Sequence, residues 1–326
     1  MPLSTSIVLC TFNGERFLEA QWDSLLGQSR LPDEIVVRDD ASTDSTPELL
    51  AGLAAKAGSR GIAVRYIRGG RNLGYVANFE TALRMASGDV LFLCDQDDRW
   101  HPDKLAVQLE RFDRRSGLLL LCGNARRIDA EGAALPQTLF GALRVSRGET
   151  RRIHAGDGFQ VLLRRSLATG ATVALRRDLL ADALPFPAGW VHDEWLAIIA
   201  AAIGGFDCIE TPLVDYRQHQ SNQIGMPERT MADKWADLRR PRKALLDELI
   251  ARAEVLDRRL SELAGKCPPG VREQVVMALA HWRVRRALHD TRWLRIGAIA
   301  REMSNGCYRR YGSGWRSALR DFVRRP

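Results

Sequence analysis

The first two thirds of the chain alternate short apolar runs with stretches in which apolar residues recur every three or four positions. The apolar runs predict β-strands, and the longer period predicts α-helices. Short polar segments connect them, and strands that alternate with helices in this way predict a parallel sheet covered by helices. The predicted strands are residues 6–10, 34–38, 62–67, 91–94, 118–121, 171–175 and 209–216.

The fourth of these strands ends in a cluster of acids, Asp95, Asp97 and Asp98. Like charges this close repel, so the cluster requires a cation, a basic partner or raised pKa values. Asp95 and Asp97 would face the same side if the strand geometry continued, and their oxygens could then hold a hard divalent ion. The alternative is an ordinary solvated acidic turn.

Polar side chains also follow the other early strands. Ligands of such sheets bind beyond the carboxyl ends of the strands, so the sequence predicts a ligand site at this edge. No Gly-x-Gly-x-x-Gly follows the first strand and no P-loop is present, which disfavours dinucleotide and P-loop chemistry. A carboxylate that accepts a hydrogen bond from a pyrimidine N–H, together with a metal ion that binds a diphosphate, would suit a nucleotide-sugar as the ligand. The polar clusters are Thr11, Asn13 and Glu15; Asp39 and Asp40; and Asn72 and Gly74.

A second acidic pair, Asp193 and Glu194, opens a helix of small residues that runs to residue 202. Capping and the helix dipole explain acids at a helix start. The flanking Trp190 and Trp195 favour a pocket wall instead, where a desolvated Asp can act as a base. His219 follows a predicted strand in a polar loop, where it is either structural or a ligand.

Taken in order, these motifs resemble the inverting family-2 glycosyltransferases of GT-A fold. The resemblance spans residues 3 to about 225, and three motifs, Asn78-Phe79-Glu80, Asp-Gln-Asp-Asp-x-Trp and Tyr-Arg-Gln-His, are similar to those of rhamnosyltransferase-like members. The matching segments are Thr11-Phe12-Asn13-Gly14-Glu15, Asp39-Asp40-Ala41-Ser42-Thr43-Asp44, Asn72-Leu73-Gly74, Asp95-Gln96-Asp97-Asp98-Arg99-Trp100, His192-Asp193-Glu194-Trp195 and Tyr216-Arg217-Gln218-His219.

The resemblance implies a role for each matching residue. Asp193 would be the catalytic base, although the family often has Glu-Asp where this chain has His192-Asp193, so Glu194 is a rival. Asp97 would be the direct ligand of Mg²⁺ or Mn²⁺, with Asp95 beside it and His219 completing the metal shell. The implied donor-binding residues are Thr11, Asn13, Glu15 and Asp40 around the base and ribose, with Asp40 accepting the pyrimidine N–H, and Asn72, Gly74, Asn78 and Asp95 near the diphosphate.

The implied activity is transfer of a sugar from a nucleoside-diphosphate donor, with dTDP-rhamnose as the candidate, to a glycan or lipid-linked saccharide acceptor. A UDP-hexose or another hexosyl donor is the alternative within the fold. A non-catalytic protein that binds membranes or nucleic acids is the alternative outside it. The candidate base and metal residues argue against such a binder, which has no need of them.

Charge divides the chain into two regions with different expected partners. Residues 230–326 contain 22 Lys and Arg against 11 Asp and Glu, whereas residues 1–229 contain 26 against 29. We therefore expect a GT-A catalytic domain over 1–229 and a basic helical region over 230–326. Its arginines alternate with aromatic residues, which suits an anionic membrane surface. Packing on the catalytic domain is the alternative, and nucleic acid is the least favoured partner.

Cysteine usage and hydropathy bear on location. The six cysteines are scattered without close pairs, which is typical of reduced thiols in the cytosol. The N-terminal sequence leads directly into a strand without a signal peptide pattern, and the longest apolar stretch, residues 196–206, is too short to span a bilayer. We expect a cytoplasmic protein, peripheral on the inner face of the membrane.

Overall fold

The computed structural model describes residues 2–219 and 241–324. The described residues form two compact units. The first contains residues 2–158 and 167–219, and the second contains residues 159–166 and 241–324. The predicted boundary between residues 229 and 230 lies outside the described residues.

The first unit contains a large sheet and a small one. The large sheet has the strand order β3-β2-β1-β4-β8-β6-β9, and the small sheet has the order β5-β10-β7. The strands are β1 (Thr5–Thr11), β2 (Glu34–Asp39), β3 (Ala63–Arg68), β4 (Val90–Cys94), β5 (Arg99–Trp100), β6 (Leu120–Gly123), β7 (Arg126–Ile128), β8 (Ala174–Arg176), β9 (Phe206–Ile209) and β10 (Val214–Arg217).

The first four strands of the large sheet are parallel and in close register at their carboxyl ends. Leu9 pairs with Cys94, and Thr11 pairs with Asp39. Strands β1, β2 and β4 are buried along their whole length, as expected of a parallel sheet covered on both faces. The loops after these strands therefore meet at one edge, as the sequence predicted.

Helices cover this sheet at the positions that apolar periodicity predicted. Trp22 and Leu25 of α1 and Phe79 and Leu83 of α3 are almost fully buried. Asp44 rather than Ser45 supplies the side-chain contact at the start of α2, since its Oδ1 accepts the Thr46 N–H. The helices of this unit are α1 (Leu18–Leu26), α2 (Thr46–Gly58), α3 (Tyr75–Met85), α4 (Lys104–Arg114), α5 (Leu139–Ala142), α6 (Arg147–His154), α8 (Leu180–Ala183) and α9 (His192–Ala202), while α7 (Gly158–Arg164) falls mostly in the second unit.

Two strand predictions were wrong in their topology. The predicted strand 209–216 is two strands in different sheets, β9 and β10, because Pro212 between them cannot donate to a sheet ladder. The predicted strand 171–175 begins as a 3₁₀ turn, Gly170–Thr172. It continues as β8, which runs antiparallel between β4 and β6, so the large sheet is mixed.

The second unit is helical, as predicted, over its described part. A break at residues 268–270 separates its first two long helices, and the predicted start of the basic helical region at residue 230 lies outside the described residues. No helix in residues 2–219 or 241–324 is both long and apolar enough to cross a membrane. The helices after the break in the description are α10 (Arg242–Glu262), α11 (Val271–Arg286), α12 (Ile296–Ser304), α13 (Cys307–Tyr311) and α14 (Trp315–Val323).

All six cysteines lie in the described segments and are free thiols. Four of them, Cys10, Cys94, Cys122 and Cys208, are buried in the first unit. Burial raises the pKa of the Cys208 thiol to about 12, so this thiol stays protonated at neutral pH. The prediction of unpaired thiols is therefore confirmed.

Candidate active site

The acidic segment after β4 is fixed to the loop after β1 by the side chain of Gln96. Its Oε1 accepts the Phe12 N–H at 2.8 Å, and its Nε2 donates to the Phe12 carbonyl at 2.9 Å. A Cβ at position 14 would lie 2.2 Å from Gln96 Oε1, so only glycine admits this approach. The Gln96 side-chain amide thus pairs with the Phe12 backbone as a neighbouring strand would. This contact fixes the positions of Asp95 and Asp97 on either side of Gln96.

The short strand β5 brings the end of the Tyr-Arg-Gln-His segment to the same place. Strand β5 pairs antiparallel with β10 immediately after the acids, with Asp215 opposite Arg99. As a result, the Arg217 N–H donates to Asp98 Oδ1 at 2.8 Å, and Arg217 Nε donates to the Asp97 carbonyl at 2.7 Å. His219 Nε2 then lies 2.7 Å from Asp97 Oδ2, although the two residues are 122 positions apart.

Asp193 is the second residue of α9 and lies close to Asp95. Its Oδ2 accepts the Gly170 N–H at 2.7 Å, and its Oδ1 accepts the Glu194 N–H at 2.7 Å. A Cβ built on Gly170 would lie 3.6 Å from Asp193 Oδ2 and 3.9 Å from Asp95 Oδ2. Helix capping and a place in a pocket wall therefore both explain the acid at this helix start. Asp193 accepts backbone N–H groups, and it also faces the acids after β4.

Burial and mutual repulsion perturb these acids. The pKa of Asp95 rises to about 8, because the protein desolvates it and the charges of Asp97 and Asp193 lie close. Burial raises the pKa of Asp193 to about 6, against the lowering effect of its hydrogen bonds from Glu194 and Gly170. Acids with pKa values perturbed in this way cluster at functional sites.

The imidazole of His192 shares this environment. Its ring stacks on Phe79 with 4.2 Å between centroids, and Tyr75 and Phe186 contact its edges. Burial lowers the pKa of His192 to about 3, so the ring is neutral at physiological pH. Neither ring nitrogen has a hydrogen-bond partner in the described part of the chain.

The predicted donor-binding residues Asn13 and Glu15 join the loops after β1 and β2. Asn13 Oδ1 accepts the Thr43 N–H at 2.9 Å, and Glu15 Oε2 accepts the Ser45 N–H at 3.0 Å. Both side chains are exposed residues of the edge where the predicted site lies. Thr11 is buried and donates to Asp39 at 2.9 Å.

Asp40 orders the loop before α3. Its carboxylate accepts the N–H groups of Leu73 and Gly74 at 2.9–3.0 Å. Asn72 Oδ1 accepts the same Gly74 N–H at 2.9 Å, and Asn78 is buried and donates to the Arg38 carbonyl at 3.0 Å. In this structure the side chains of Asp40 and Asn78 therefore bond to the protein's own backbone.

The donor atoms at Asp97 and His219 fit a divalent cation that arrives with a phosphate ligand. Mg²⁺ and Mn²⁺ take oxygen ligands, and such ions are commonly held by one or two carboxylates together with substrate phosphates. The charge of Asp97 acts on Asp95, but Asp95 does not form a compact triad with Asp97 and His219 in the described residues. In residues 2–219 and 241–324, the triads whose ligand atoms lie within 4.8 Å of one another are His154, Asp207 and Cys208, and His281, Glu302 and Cys307.

Sequence reasoning missed four residues of this site as individual contributors: Gln96, Arg217, Gly170 and His192. Gln96 and Arg217 stand inside motifs that were recognised, and the available signal was the position of Gln96 between two acids and the charge of Arg217. Gly170 carries no local signal, because its importance comes from residues more than twenty positions away.

A sequence model of a known protein family matches this chain. The model described as glycosyl transferase family 2 matches residues 6–182. The chain belongs to glycosyltransferase family 2. The match covers β1, the loops after β1, β2 and β4, and Gly170, while Asp193 and His219 lie beyond it.

Several relatives of known sequence match part of this chain. The Mycobacterium tuberculosis protein Rv1520 is 30% identical over 217 residues, which cover 66% of this chain and 58% of the relative. The Rhizobium meliloti succinoglycan biosynthesis protein ExoO is 25% identical over 217 residues, or 66% of this chain and 60% of the relative. The Bacillus subtilis teichuronic acid biosynthesis glycosyltransferase TuaG is 34% identical over 111 residues, or 34% and 42% of the two chains. The chain thus spans less than two thirds of the length of these relatives.

Solved structures share the GT-A fold. S. aureus TarS in complex with UDP-GlcNAc superposes with a TM-score of 0.56 at 16% identity, over 92% of this chain and 81% of TarS. The Pyrobaculum calidifontis mannosyltransferase in complex with GDP-Man and Mn²⁺ gives a TM-score of 0.53 at 19% identity, over 99% and 87% of the two chains. At these identities the likeness shows the fold alone.

Proposed function

We propose that this chain is a metal-dependent inverting glycosyltransferase that moves a sugar from a nucleoside-diphosphate donor to a glycan acceptor. The observation that carries the proposal is the convergence of three separate segments of a family-2 fold. Asp95 and Asp97 follow β4, His219 follows β10, and Asp193 opens α9. The charges of Asp97 and Asp193 both act on Asp95, which supports a single shared cleft.

In the proposed reaction, Asp193 removes the proton from the attacking acceptor hydroxyl. Its backbone hydrogen bonds from Gly170 and Glu194 hold the carboxylate in one orientation, and positioning of the hydroxyl for in-line attack lowers the barrier further. Asp97 and His219 would hold Mg²⁺ or Mn²⁺, which when bound offsets the charge that develops on the departing nucleoside diphosphate. Attack from the face opposite the leaving group inverts the anomeric carbon.

We propose that the donor is a nucleoside-diphosphate sugar, with dTDP-rhamnose as the first candidate. The rhamnosyltransferase-like motifs support this choice, and a UDP-hexose or another hexosyl donor is the alternative. The names of the relatives ExoO and TuaG support a polysaccharide as the product, and we propose a lipid-linked cell-surface saccharide as the acceptor. We propose residues 1–229 as the catalytic domain.

A donor screen tests the proposal directly. The purified full chain is titrated with UDP-glucose, UDP-GlcNAc, GDP-mannose and dTDP-rhamnose in the presence of Mn²⁺, and the shift in unfolding temperature is measured. A tenfold excess over Kd of a true donor stabilises the folded state by about 1.4 kcal/mol. If all four donors and their free nucleoside diphosphates leave the unfolding temperature unchanged, the proposal is rejected.

The second unit supports the proposal of a peripheral membrane contact at the cytoplasmic face. Helix α14 exposes Trp315, Leu319 and Val323, which recur at four-residue spacing on one face. Trp293 lies outside α14 and is 72% exposed. Its ring packs against Phe322 of α14 with 5.6 Å between ring centroids. Exposed arginines at positions 292, 316 and 320 flank this apolar face, a combination that binds anionic lipid surfaces.

A further inference from the structure

The imidazole of His192 is a buried polar group for which the protein provides no partner. The residue is only 5% exposed, and both ring nitrogens are without a hydrogen bond in the described part of the chain. Most buried polar groups in native proteins are paired, because an unpaired one costs about 1–3 kcal/mol. A phenylalanine would fill the same space without this cost, so packing alone does not account for a histidine here.

Aromatic contacts fix the direction of this ring. Phe79 stacks on it with an interplanar angle of 19°, and Tyr75 and Phe186 lie 6.0 and 6.4 Å away between centroids. Three aromatic neighbours confine the imidazole without using its nitrogens. The ring is therefore held in place while both of its nitrogens have no partner in the described part of the chain.

The Nε2 atom of His192 faces the space beside Gly170. A Cβ at Gly170 would lie 3.2 Å from His192 Nε2, 3.6 Å from Asp193 Oδ2 and 3.9 Å from Asp95 Oδ2. Gly170 does not have a left-handed φ angle, so its backbone conformation does not require glycine. The missing side chain instead leaves a small space bordered by three polar atoms, two from the start of α9 and one from the segment after β4.

The proposed function indicates which part of a substrate would occupy this space. Asp95 and Asp97 would lie beside the diphosphate, and Asp193 would lie beside the attacking hydroxyl. The transferred sugar is bonded to the diphosphate and is attacked from the opposite face, so it must lie between these two groups. A sugar hydroxyl is both donor and acceptor, as is a neutral imidazole across its two nitrogens.

We propose that His192 is a donor-binding residue whose Nε2 hydrogen-bonds a hydroxyl of the transferred sugar in the space left open by Gly170. This inference rests on the proposed function and extends it to a residue that selects the sugar. Recognition of a hydroxyl by a buried polar group discriminates strongly against sugars that lack it, because binding such a sugar leaves the group unpaired. The aromatic neighbours Tyr75, Phe79 and Phe186 act as positioning residues for this contact.

The test compares a nucleotide-sugar with its own nucleoside diphosphate. Kd values are measured by titration calorimetry with Mn²⁺ for UDP and UDP-GlcNAc, GDP and GDP-mannose, and dTDP and dTDP-rhamnose, and the pair with the tightest wild-type binding is used. His192→Phe keeps the aromatic stack and removes both nitrogens. We expect it to weaken the nucleotide-sugar about five- to tenfold, the loss of one hydrogen bond, and to leave the free nucleotide within twofold.

A second variant tests the space itself. Gly170→Ala adds one methyl group among the three polar atoms and should weaken the nucleotide-sugar at least tenfold while the free nucleotide still binds. Gly117→Ala is the matched control, because a Cβ there meets nothing within 4 Å and the position lies outside the site. Unfolding temperatures of all variants verify that each is folded.

The outcomes separate this inference from the function on which it rests. Equal affinities of wild type and both site variants for the nucleotide-sugar overturn the role of His192 while the proposed function stands. Equal weakening of nucleotide and nucleotide-sugar also overturns it, because the effect would then not involve the sugar. Failure of the wild type to bind any nucleotide rejects the proposed function and this inference together.

Discussion

Replacing Asp193 by asparagine should remove activity and, with it, a loss of stability that depends on pH. Burial raises the pKa of this carboxyl from 3.8 to about 6. The folded state therefore binds the proton more tightly than the unfolded state, so stability is lost as pH rises from about 4 to about 6 and the loss is complete above that range. A shift of two units corresponds to about 3 kcal/mol at pH 8.

Asp193→Asn carries no charge at any pH, but its amide nitrogen cannot accept one of the two backbone N–H groups that the carboxylate accepts, which costs about 1–3 kcal/mol. From pH 4 to pH 8 we expect the free energy of unfolding of the variant to rise by about 3 kcal/mol relative to the wild type, which corresponds to a relative shift in unfolding temperature of roughly 6–12 °C for a unit of this size. Near pH 4 the variant should be the less stable of the two, because it lacks one of these hydrogen bonds and the wild-type carboxyl carries no charge there. Circular dichroism melts between pH 4 and pH 8 measure the difference.

The same substitution should lower the rate of sugar transfer by about 10²–10⁴-fold, the usual contribution of a general base, while donor binding is retained. The wild-type rate should rise with pH through about 6, as Asp193 loses its proton. Glu194→Gln is the matched control, since it removes a neighbouring acid of the same helical turn and should change the rate only slightly. Retained turnover in Asp193→Asn, or a stability difference that does not grow with pH, would refute the reasoning.

Three further predictions concern the metal, the loop contact and the membrane. The raised pKa of Asp95 means that a proton competes with the cation, so Mn²⁺ affinity by calorimetry should increase from pH 6 to pH 8, and an affinity independent of pH contradicts this. Gln96→Ala removes both hydrogen bonds to Phe12 and should destabilise the protein by about 1–3 kcal/mol in urea unfolding; an unchanged midpoint counts against it. Trp315→Ser should reduce flotation with anionic phosphatidylglycerol vesicles, whereas Met277→Ser, an exposed apolar control on another helix, should not; equal flotation of both variants would exclude this face.

Local pattern was sufficient for most of the elements. The apolar runs that became β1, β2 and β4 are buried at every position, and this burial makes a strand recognisable from its sequence. The helix from His192 to Ala202 was likewise expected from its small and apolar residues. Any fold of this class packs other elements against one face of each helix and against the central strands. This burial therefore does not depend on the details of the fold.

Local pattern failed where partners from distant segments decided the outcome. Strand β8 lies antiparallel between β4 and β6, and a three-residue strand contains no information about its direction. Asp40 stays a predicted donor-binding residue, and nothing in the sequence indicated that its oxygens accept the N–H groups of Leu73 and Gly74. Which donor a carboxylate meets depends on where another loop passes, and one segment of sequence cannot specify that.

By itself, the sequence determined the first four strands, the acids that follow two of them and the contrast between a mildly acidic first part of the chain and a basic helical last part. These properties depend on residues adjacent in the chain, whose hydrophobicity and charge act locally. Only the tertiary structure decided that His219 meets Asp97 and that His192, Asp193 and Asp95 border the space at Gly170. Those contacts arise from the pairing of β5 with β10 and from the packing of α9, which join residues far apart in the chain.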